Sequence, residues 1–555
     1  AACYLFWRWL RRPTWNGAFL TGIAWGVAEL TKGTFLILYA VFPLSWLLWR
    51  ASGRCARRRP GARCAEDGPP GPSRANRADW DGHPPDTPRQ PAQLALMAVL
   101  SLYVLNVGYA FEGALQPLGE FHFISEALGG ERDLTHRDTA RRNRFAGTAL
   151  AGFRVPLPAN YLLGIDHQKS DFELGYDSYL RGEWRHGGWW YYYLYGLAIK
   201  VPLGTWALFV LAVGVGLVKL AKRSGWKAES GATRPHPGPL AEGEGEECPR
   251  RGARRDVEAV GWRDEFVLLL PAAAILVLVS SQTGFSHHLR YVLPIFPFVF
   301  IWIGRIGPHV DLGVRRFIAA FRCRGATFTR RRDRVLTSIT TAKKDGSAIK
   351  ESGDESPHSM LVTTLAAVAL AWSIASSLWY YPHSLSYFNE LVGGPLGGRW
   401  HLLDSNIDWG QDLLYLKEWL DEHPEARTLG LAYFGHFDPR AADIAFVVPP
   451  RGAAPPKGET GKRPTAQPKS NADEGPLPGW YAVSVVMLHG YTYGIPDGNG
   501  GKFYSDRPYF TYFQRFEPVA RAGYSIYIYH LLPADVDRVR RELGLPSLAQ
   551  APAVE

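Results

Sequence analysis

LVTTLAAVALAWSIASSLWYY, residues 361–381, contains no Asp, Glu, Lys or Arg. A bilayer core about 30 Å thick is crossed by roughly 20 mostly apolar residues in a helix, so the stretch reads as a membrane span. FVLLLPAAAILVLVSS at 266–281 repeats the pattern. Between such blocks lie stretches almost without apolar residues, 51–92 and 305–358. The mean hydropathy of −0.14 over 555 residues hides this signal, because apolar and polar residues are segregated along the chain. An aromatic content of 13% fits the same class, since Trp and Tyr favour the two membrane interfaces.

Working outward, the length criterion places further spans at about 18–30, 34–49, 93–110, 194–218, 264–284 and 289–304, seven in all with 360–380. The first two are short and read as a helical hairpin around Thr31-Lys32. Short loops rich in Lys and Arg stay in the cytoplasm. RWLRR at 8–12, RCARRR at 54–59, the stretch 219–263 and the stretch 305–350 with RRRDR at 330–334 all fall on one side when the spans alternate. That arrangement makes 51–92, 219–263 and 305–358 cytoplasmic loops. It puts 111–193, the turn near His287 and everything after Tyr381 outside.

The net charge of +10 is spread over these gaps rather than gathered on one face, which speaks for topology and against nucleic acid. Cys3, Cys55, Cys64, Cys248 and Cys323 form no C-x-x-C pair and fall on the cytoplasmic side, where free thiols are expected. AACYLFWRWLRR has neither the polar start nor the cleavage site of a signal peptide. It reads as the tail of a helix already under way, so an N-terminally truncated piece of a longer protein is expected.

The fold class expected is an α-helical polytopic membrane protein, residues 1–380, joined to an extracytoplasmic α/β domain, residues 381–555. In the outer domain, apolar strands alternating with helices predict a helix over 411–420, strands at 429–435, 480–488 and 524–532, and a final helix over 534–543. The Pro- and Lys-rich stretch 449–478 is expected to be a disordered insertion.

Four constellations carry candidate chemistry. Glu29 and Lys32, in AELTKGT, are ionisable groups inside or at the edge of apolar segments. Such a group costs roughly 2.5–3.5 kcal/mol to insert, so a partner or a wet cavity is expected. A phosphate would suit Lys32, and snorkelling to the interface is the bland alternative. The external loop 111–193 interleaves Glu112, Asp166, His167, Lys169, Asp171, Glu173, Arg181, Glu183 and Arg185 with aromatic residues. That mixture suits a sugar, whose faces stack on rings while its hydroxyls pair with charged groups. Trp189 to Tyr193 in the same loop read better as an interfacial aromatic belt.

In FSHHLRYVLP at 285–294, His287, His288 and Arg290 crowd an external turn, where Arg can hold a phosphate by paired hydrogen bonds. No third ligand at a useful spacing supports a metal there. In HLLDSNIDWGQDLLYLKEWL at 401–420, Asp404, Asn406, Asp408 and Asp412 begin like a calcium loop, but Trp409 stands where the turn glycine belongs. Capping of the helix beginning near Gly410 is the competing reading. The acidic set admits a divalent cation, and the sequence names no cofactor.

AELTKGT, the loop with FEG, GIDHQKSDFELG and YLRGEWRHGGWWYYY, the turn HHLRYVLPIFPF, and PHSLSYFNELVGGP followed by LLDSNIDWGQDLLYLKEWL resemble bacterial polyprenyl-phosphate-dependent glycosyltransferases of the GT-C superfamily. The likeness is to the protein mannosyltransferase, aminoarabinose transferase and RgtA/B/C/D-like group. It implies an inverting transfer of a sugar from a polyprenyl-phosphate donor to a glycan, lipid or protein acceptor, on the outer face of a bacterial inner membrane. In that family the catalytic Asp or Glu follows the first transmembrane helix. This sequence begins later, so the catalytic base is expected upstream of residue 1, and neither Asp166 nor Glu112 takes that role. Lys32, His287, His288 and Arg290 are the expected donor-phosphate residues. Glu112, Asp166, His167, Lys169, Arg181 and Glu183 are the expected sugar- or acceptor-binding set. No nucleotide-binding glycine motif is visible, in keeping with a lipid donor. A transporter or lipid flippase would use buried charges equally well, but no related halves are visible. A scaffold that recruits envelope partners is the third reading.

Overall fold

A computed structural model describes residues 1–57, 89–130, 143–229, 261–307, 357–452 and 475–548. Cys64, Cys248, Cys323, most of the basic loops and most of the 449–478 insertion lie outside the described residues, as does the side chain of Cys55. Cys3 is a free thiol. The chain divides into two compact units: Ala1–Tyr176 with Leu211–Gly284 and Tyr291–Pro308, and Asp177–Val210 with Phe285–Arg290 and His309–Glu555.

The first unit is built on helices α1 (Ala2–Arg11), α2 (Trp15–Thr31), α3 (Leu38–Arg57) and α4 (Arg89–Gly108), with the helix Trp262–Ser281. Thr14 caps α2 by accepting the N–H of Gly17 at 3.1 Å. The aromatic core joins α1, α2 and α3, with Phe6 stacked on Phe42 at 4.0 Å and Trp25 edge-on to Phe42 at 4.9 Å. Asp264, at the start of Trp262–Ser281, accepts from the Gly261 N–H, Trp7 Nε1 and Arg11 Nε. One carboxylate thereby satisfies a helix end and anchors α1.

Two glycines one helical turn apart set how closely α2 and α4 pack. A Cβ on Gly22 would lie 2.8 Å from Leu100 Cβ, and one on Gly26 would lie 2.5 Å from Val104 Cβ and 2.7 Å from the Ser101 carbonyl. This is the small-x-x-x-small spacing that lets helix backbones approach where no hydrophobic driving force between helices exists.

Five helices among the described residues are long and apolar enough to cross a membrane: Gly33–Ser52, Arg89–Gly108, Trp262–Ser281, Leu289–Ile306 and Leu361–Trp379. The expected count of seven needs two corrections. The span expected at 194–218 is two helices, Tyr192–Lys200 and Leu203–Val218, bent by 108°. Pro202 stands at the break, where it can donate no backbone hydrogen bond and a continuous helix cannot form. Helix α2 has 17 residues, about 25 Å of rise, which is short of the hydrocarbon thickness.

The second unit carries the hairpin β1 (Asp177–Leu180) and β2 (Glu183–His186). Its principal sheet uses β3 (Leu429–Ala432), β4 (Phe446–Val447), β5 (Gly479–Ser484), β8 (Ala520–Ala522) and β9 (Ile526–Leu531) in the order β4-β3-β5-β9-β8. A separate hairpin pairs β6 (Gly494–Pro496) with β7 (Lys502–Tyr504). The pairs β4/β3 and β3/β5 are parallel, and β5/β9 and β9/β8 antiparallel. The helix Leu413–Glu422 lays Leu413, Leu416 and Leu420, one face by their spacing, on Leu429, Leu431, Ala482, Ile526 and Ile528. Alternate residues point to the other face of the sheet, where Tyr481 and Tyr529 pack on Phe513.

The strand expected over 480–488 ends at Ser484, and Val485–Leu488 forms one helical turn. A uniformly apolar run is compatible with either structure, and periodicity cannot separate them. The final helix runs Pro533–Glu542, one residue earlier than expected.

Gly26→Leu would force α2 and α4 apart. It is expected to cost on the order of 1–3 kcal/mol, read as a lower yield of monodisperse protein and a lower melting temperature in detergent. An unchanged melt would refute the close packing.

Candidate functional site

The second unit joins two of the motif stretches through three successive contacts. His287 Nδ1 donates to Asp404 Oδ2 at 2.8 Å, His288 Nδ1 bonds the Ser405 hydroxyl, and the Leu289 N–H donates to Asn406 Oδ1 at 3.1 Å. Asp404 opens a single 3-10 turn, Asp404–Asn406, from a left-handed backbone of φ 58°, a conformation that Asp tolerates better than most residues. Asn406 holds the other side of the joint. Its Nδ2 donates to the His287 carbonyl at 2.6 Å, to Tyr192 Oη at 2.9 Å and to the Leu403 carbonyl at 2.9 Å. Tyr192 Oη in turn donates to the His287 carbonyl at 3.1 Å, and Tyr491 Oη to Asp404 Oδ2 at 2.7 Å.

All of these groups but Ser405 and Tyr491 are buried or nearly so, with Asp404 only 6% exposed. Burial by itself would raise the Asp404 carboxyl, but the hydrogen bond and charge of His287, with His288 and Tyr491, hold it below the ordinary carboxylate range. An ionised Asp404 accepts hydrogen bonds only, so His287 presents its proton at Nδ1. Burial pushes the His288 imidazole down to about 4 against the pull of Asp404, and His288 is neutral at pH 7. Burial and the Asp404 charge raise the Tyr491 phenol, which stays protonated as a donor.

Asp177, Tyr179, Trp184, Tyr192, Ser286, His287, Leu403, Asp404 and Tyr491 line a cavity of ≈10 Å³ beside this cluster. That is about the room of one water molecule. A sugar ring does not fit, so the cavity is a polar joint and not a substrate pocket in this conformation.

Four to eight residues further along, the same motif serves another purpose. Asp408 is fully buried, and its Oδ1 accepts the Gly410 N–H at 2.9 Å. Burial pushes its carboxyl up to about 8, with the Asp412 charge adding to the effect. Asp412 Oδ2 accepts the N–H groups of Tyr524 and Ser525, both at 2.9 Å, and His383 Nδ1 lies 3.3 Å from Oδ1. Gly523 turns at φ 56° beneath it, where a Cβ would come within 2.3 Å of the carboxylate. Asp412 therefore ties the turn before β9 to the start of the helix Leu413–Glu422. It occupies the N-cap position of that helix without making a side-chain capping bond. Among the described residues no group of three or more His, Cys, Asp or Glu is placed to hold a metal ion.

The expected sugar set is divided between the units, with Glu112, Asp166, His167 and Lys169 in the first and Arg181 and Glu183 in the second. Asp166 is buried, and both its oxygens are taken by backbone N–H groups of Ile124 and Ser125, at 2.7 and 3.0 Å. The exposed His167 lies 3.5 Å from Asp171, and Lys169 lies 3.5 Å from Glu173 one turn on. Glu112 accepts from Asn160 at 3.3 Å on the surface. Arg181 and Gly182 form the two-residue tip of the β1–β2 hairpin with φ 53° and 88°, and Glu183 follows exposed. Positive φ at both positions matches the twist that tight hairpins need, so this stretch is laid out by its turn. None of the six lines the cavity.

Of the expected phosphate residues, Lys32 in the first unit lies 5.7 Å from the Tyr291 ring, and Arg290 is an exposed residue of the second. Glu29 has its partners in Trp25 Nε1 at 3.0 Å and Tyr161 Oη at 2.9 Å. Tyr192 belongs to the buried joint and not to an exposed aromatic belt, while Trp190 is 65% exposed. Tyr491, Trp184 and Tyr179 also went unforeseen. Tyr179 and Trp184 meet His489 some 300 positions away, and Tyr491 meets Asp404 87 positions away, pairings that no local pattern announces.

With this geometry in hand, comparison of the chain with protein-family models, curated proteins and solved structures finds no match.

The joint sets the acid response. His288 protonates near 6.5 when unfolded but near 4 when folded, so its contribution is complete above pH 6.5 and is lost as pH falls toward 4. The full effect is on the order of 3 kcal/mol. His489, pushed by burial down to about 3, acts in the same direction. Asp408 opposes both, since its raised carboxyl favours the fold at low pH and loses that contribution as pH rises toward 8. The melting temperature is expected to fall between pH 6.5 and 4, and less steeply in His288→Gln. Equal slopes would contradict the burial of a neutral imidazole. Asp404→Ala, which strands the donors of His287 and Tyr491, is expected to cost about 3–5 kcal/mol by chemical denaturation.

Proposed function

We propose that this chain is a membrane glycosyltransferase that moves a sugar from a polyprenyl-phosphate donor to an acceptor at the extracytoplasmic face of a bacterial inner membrane. The observation that carries the reading is the joining of HHL at 287–289 to DSN at 404–406. These two stretches, 117 residues apart, are among those whose wording resembles the GT-C enzymes. Their pairing makes the two motifs one structural device, as expected if both serve one site. The five apolar helices supply the setting that a lipid-linked donor requires.

In this reading the acceptor hydroxyl attacks the anomeric carbon, the carbon–oxygen bond to the lipid phosphate breaks, and the bonding pair leaves with the phosphate. An acidic side chain takes the hydroxyl proton. Arg290 follows directly on the anchored residues 287–289, so the joint governs where its side chain can reach. A cationic side chain, Arg290 of the second unit or Lys32 of the first, stabilises the charge that develops on the departing phosphate. In this reading the basic segments at 8–12, 54–59, 219–263 and 305–350 are cytoplasmic and the turn at His287 and the C-terminal sheet are outside, in line with the bias of Lys and Arg.

A transporter or lipid flippase is the second reading, favoured by the 108° break at Val201-Pro202. Lys200, beside that break, donates to the carbonyls of Leu385 and Asn406. Interrupted helices whose ends meet polar groups are a recurrent feature of transport proteins.

Membranes containing the full-length protein are expected to transfer label from a polyprenyl-phosphate sugar to endogenous acceptors. No transfer across a broad donor panel, with folded protein and with lipid movement in proteoliposomes, would replace the first reading by the second. Lys32→Ala and Arg290→Ala are each expected to weaken donor binding on the order of tenfold. Unchanged donor affinity in both removes these two residues from the site.

A further inference from the structure

The chain turns sharply at Val201-Pro202, and the two arms that meet there, Tyr192–Lys200 and Leu203–Val218, are bent by 108°. Arms nearly at right angles cannot both follow the bilayer normal, so while one crosses the other runs along the surface. The crossing arm is fixed by its neighbour. A Cβ on Gly204 would lie 2.1 Å from the Ala369 carbonyl, and Thr205 Oγ1 lies 2.7 Å from Ser373 Oγ, so the arm that begins at Leu203 packs closely on the apolar helix Leu361–Trp379. Tyr387 Oη bonds Ser376 Oγ at 2.8 Å, and Asn389, two residues on, bonds the break itself. The break therefore stands near Ser376, about 5 Å of helix rise before that span ends at Trp379.

A helix that stops inside a membrane leaves its last carbonyls without partners, and lipid supplies none. Here protein groups take them. The Asn389 N–H donates to the Ile199 carbonyl at 2.8 Å, and its Nδ2 donates to those of Ala198 at 2.7 Å and Val201 at 2.9 Å, all from a fully buried residue. Lys200 Nζ donates to the carbonyls of Leu385 and Asn406.

The open side of the helix has the composition that lipid calls for. Tyr192, Tyr193, Gly196, Leu197 and Ile199 are buried, whereas Tyr191 and Leu194 are exposed and Ala198, one turn on, is half-buried. Trp190 precedes them, and beside the break Leu391 is 70% exposed on the 3-10 turn Glu390–Val392. A surface helix in water turns charged and polar residues outward, and this stripe carries no charge. Glu390 and Lys200 stand at its margins, charges that lipid headgroups tolerate and acyl chains do not.

We infer that Tyr192–Lys200 lies in the plane of the membrane, with Trp190, Leu194 and Leu391 docked on lipid where headgroups meet acyl chains, about 5–10 Å deep. Lipid, and not a second copy of the chain, is the partner, because the patch adjoins the ends of two apolar helices. Lys200 links this anchor to Asn406, so the joint of 287–289 with 404–406 is held at headgroup height. The placement rests on the membrane reading of the apolar helices, whatever reaction the site performs.

The test uses the full chain in liposomes of phosphatidylethanolamine and phosphatidylglycerol, with its five cysteines replaced by serine. A nitroxide is attached in separate variants at Leu194→Cys and Leu391→Cys, with Leu370→Cys as the control inside a span and Glu425→Cys as the control in water. Collision with oxygen and with a water-soluble nickel chelate reads the depth of each label. Labels at 194 and 391 are expected to meet the chelate severalfold less often than the label at 425, and to lie shallower than the label at 370. Both positions are exposed, so either variant decides the matter if the other fails to fold. Chelate access equal to that at 425 places the helix in water, and a depth equal to that at 370 makes it part of a span. Exclusion of both reagents with spin–spin broadening shows a second copy on the patch. Each of these three results overturns the proposal, and chelate access at 370 overturns the membrane reading with it.

Discussion

A buried carboxylate has to be surrounded by donors, and Asp404 imposes that condition on the second unit. It takes its hydrogen bonds from His287 and Tyr491, which lie 117 and 87 positions away, and from the neighbouring Ser405 N–H. Withdrawing a charge from water costs several kcal/mol unless such partners are in place. The segments 286–289, 404–406 and the chain around Tyr491 are therefore held together as a group. Asn406 and Tyr192 close the same joint with uncharged bonds, so the backbone carbonyl of His287 is satisfied too.

Within four residues the motif handles two acids in opposite ways. Asp404 meets an imidazole and a phenol and stays ionised. Asp408 meets full burial and the charge of a second acid, which outweigh the hydrogen bond from the Gly410 N–H, and its proton is retained up to about 8. The amino acid is the same, and the environment sets the protonation state. Asp412, with two backbone N–H groups on one oxygen, completes the set by locking the turn before β9. The run DSNIDWGQD thus ties together the segments around His287, Tyr491 and Ser525 through hydrogen bonds to protein groups.

The membrane-facing part has its own economy. With few polar groups to pair, α2 and α4 rely on Gly22 and Gly26 for backbone approach, and the two oxygens of Glu29 accept hydrogen bonds from Trp25 and Tyr161. An acid in an apolar segment is thus accounted for locally, and Lys32 nearby has an aromatic face in Tyr291.

Much of the fold was legible from the residues alone. The apolar blocks at 266–281 and 361–381, the helix near 411–420 and the strands at 429, 480 and 524 onward all follow from length and periodicity, which are local properties. Pro202 could have warned of the break at 202, because the chemistry of proline is local as well. The candidate site was legible only in part. His287, Asp404 and Asn406 stood out as polar residues in conspicuous stretches, but their union did not, nor did the entry of Tyr192, Trp184 and Tyr491 into it. Asp166 looked like a ligand for sugar and is instead a ligand for backbone N–H groups. Sequence determined which segments are apolar, which are helix or strand, and which residues carry charge. Tertiary structure alone decided which charges meet, because hydrogen bonds depend on distances of about 3 Å between atoms that the chain separates by a hundred residues or more.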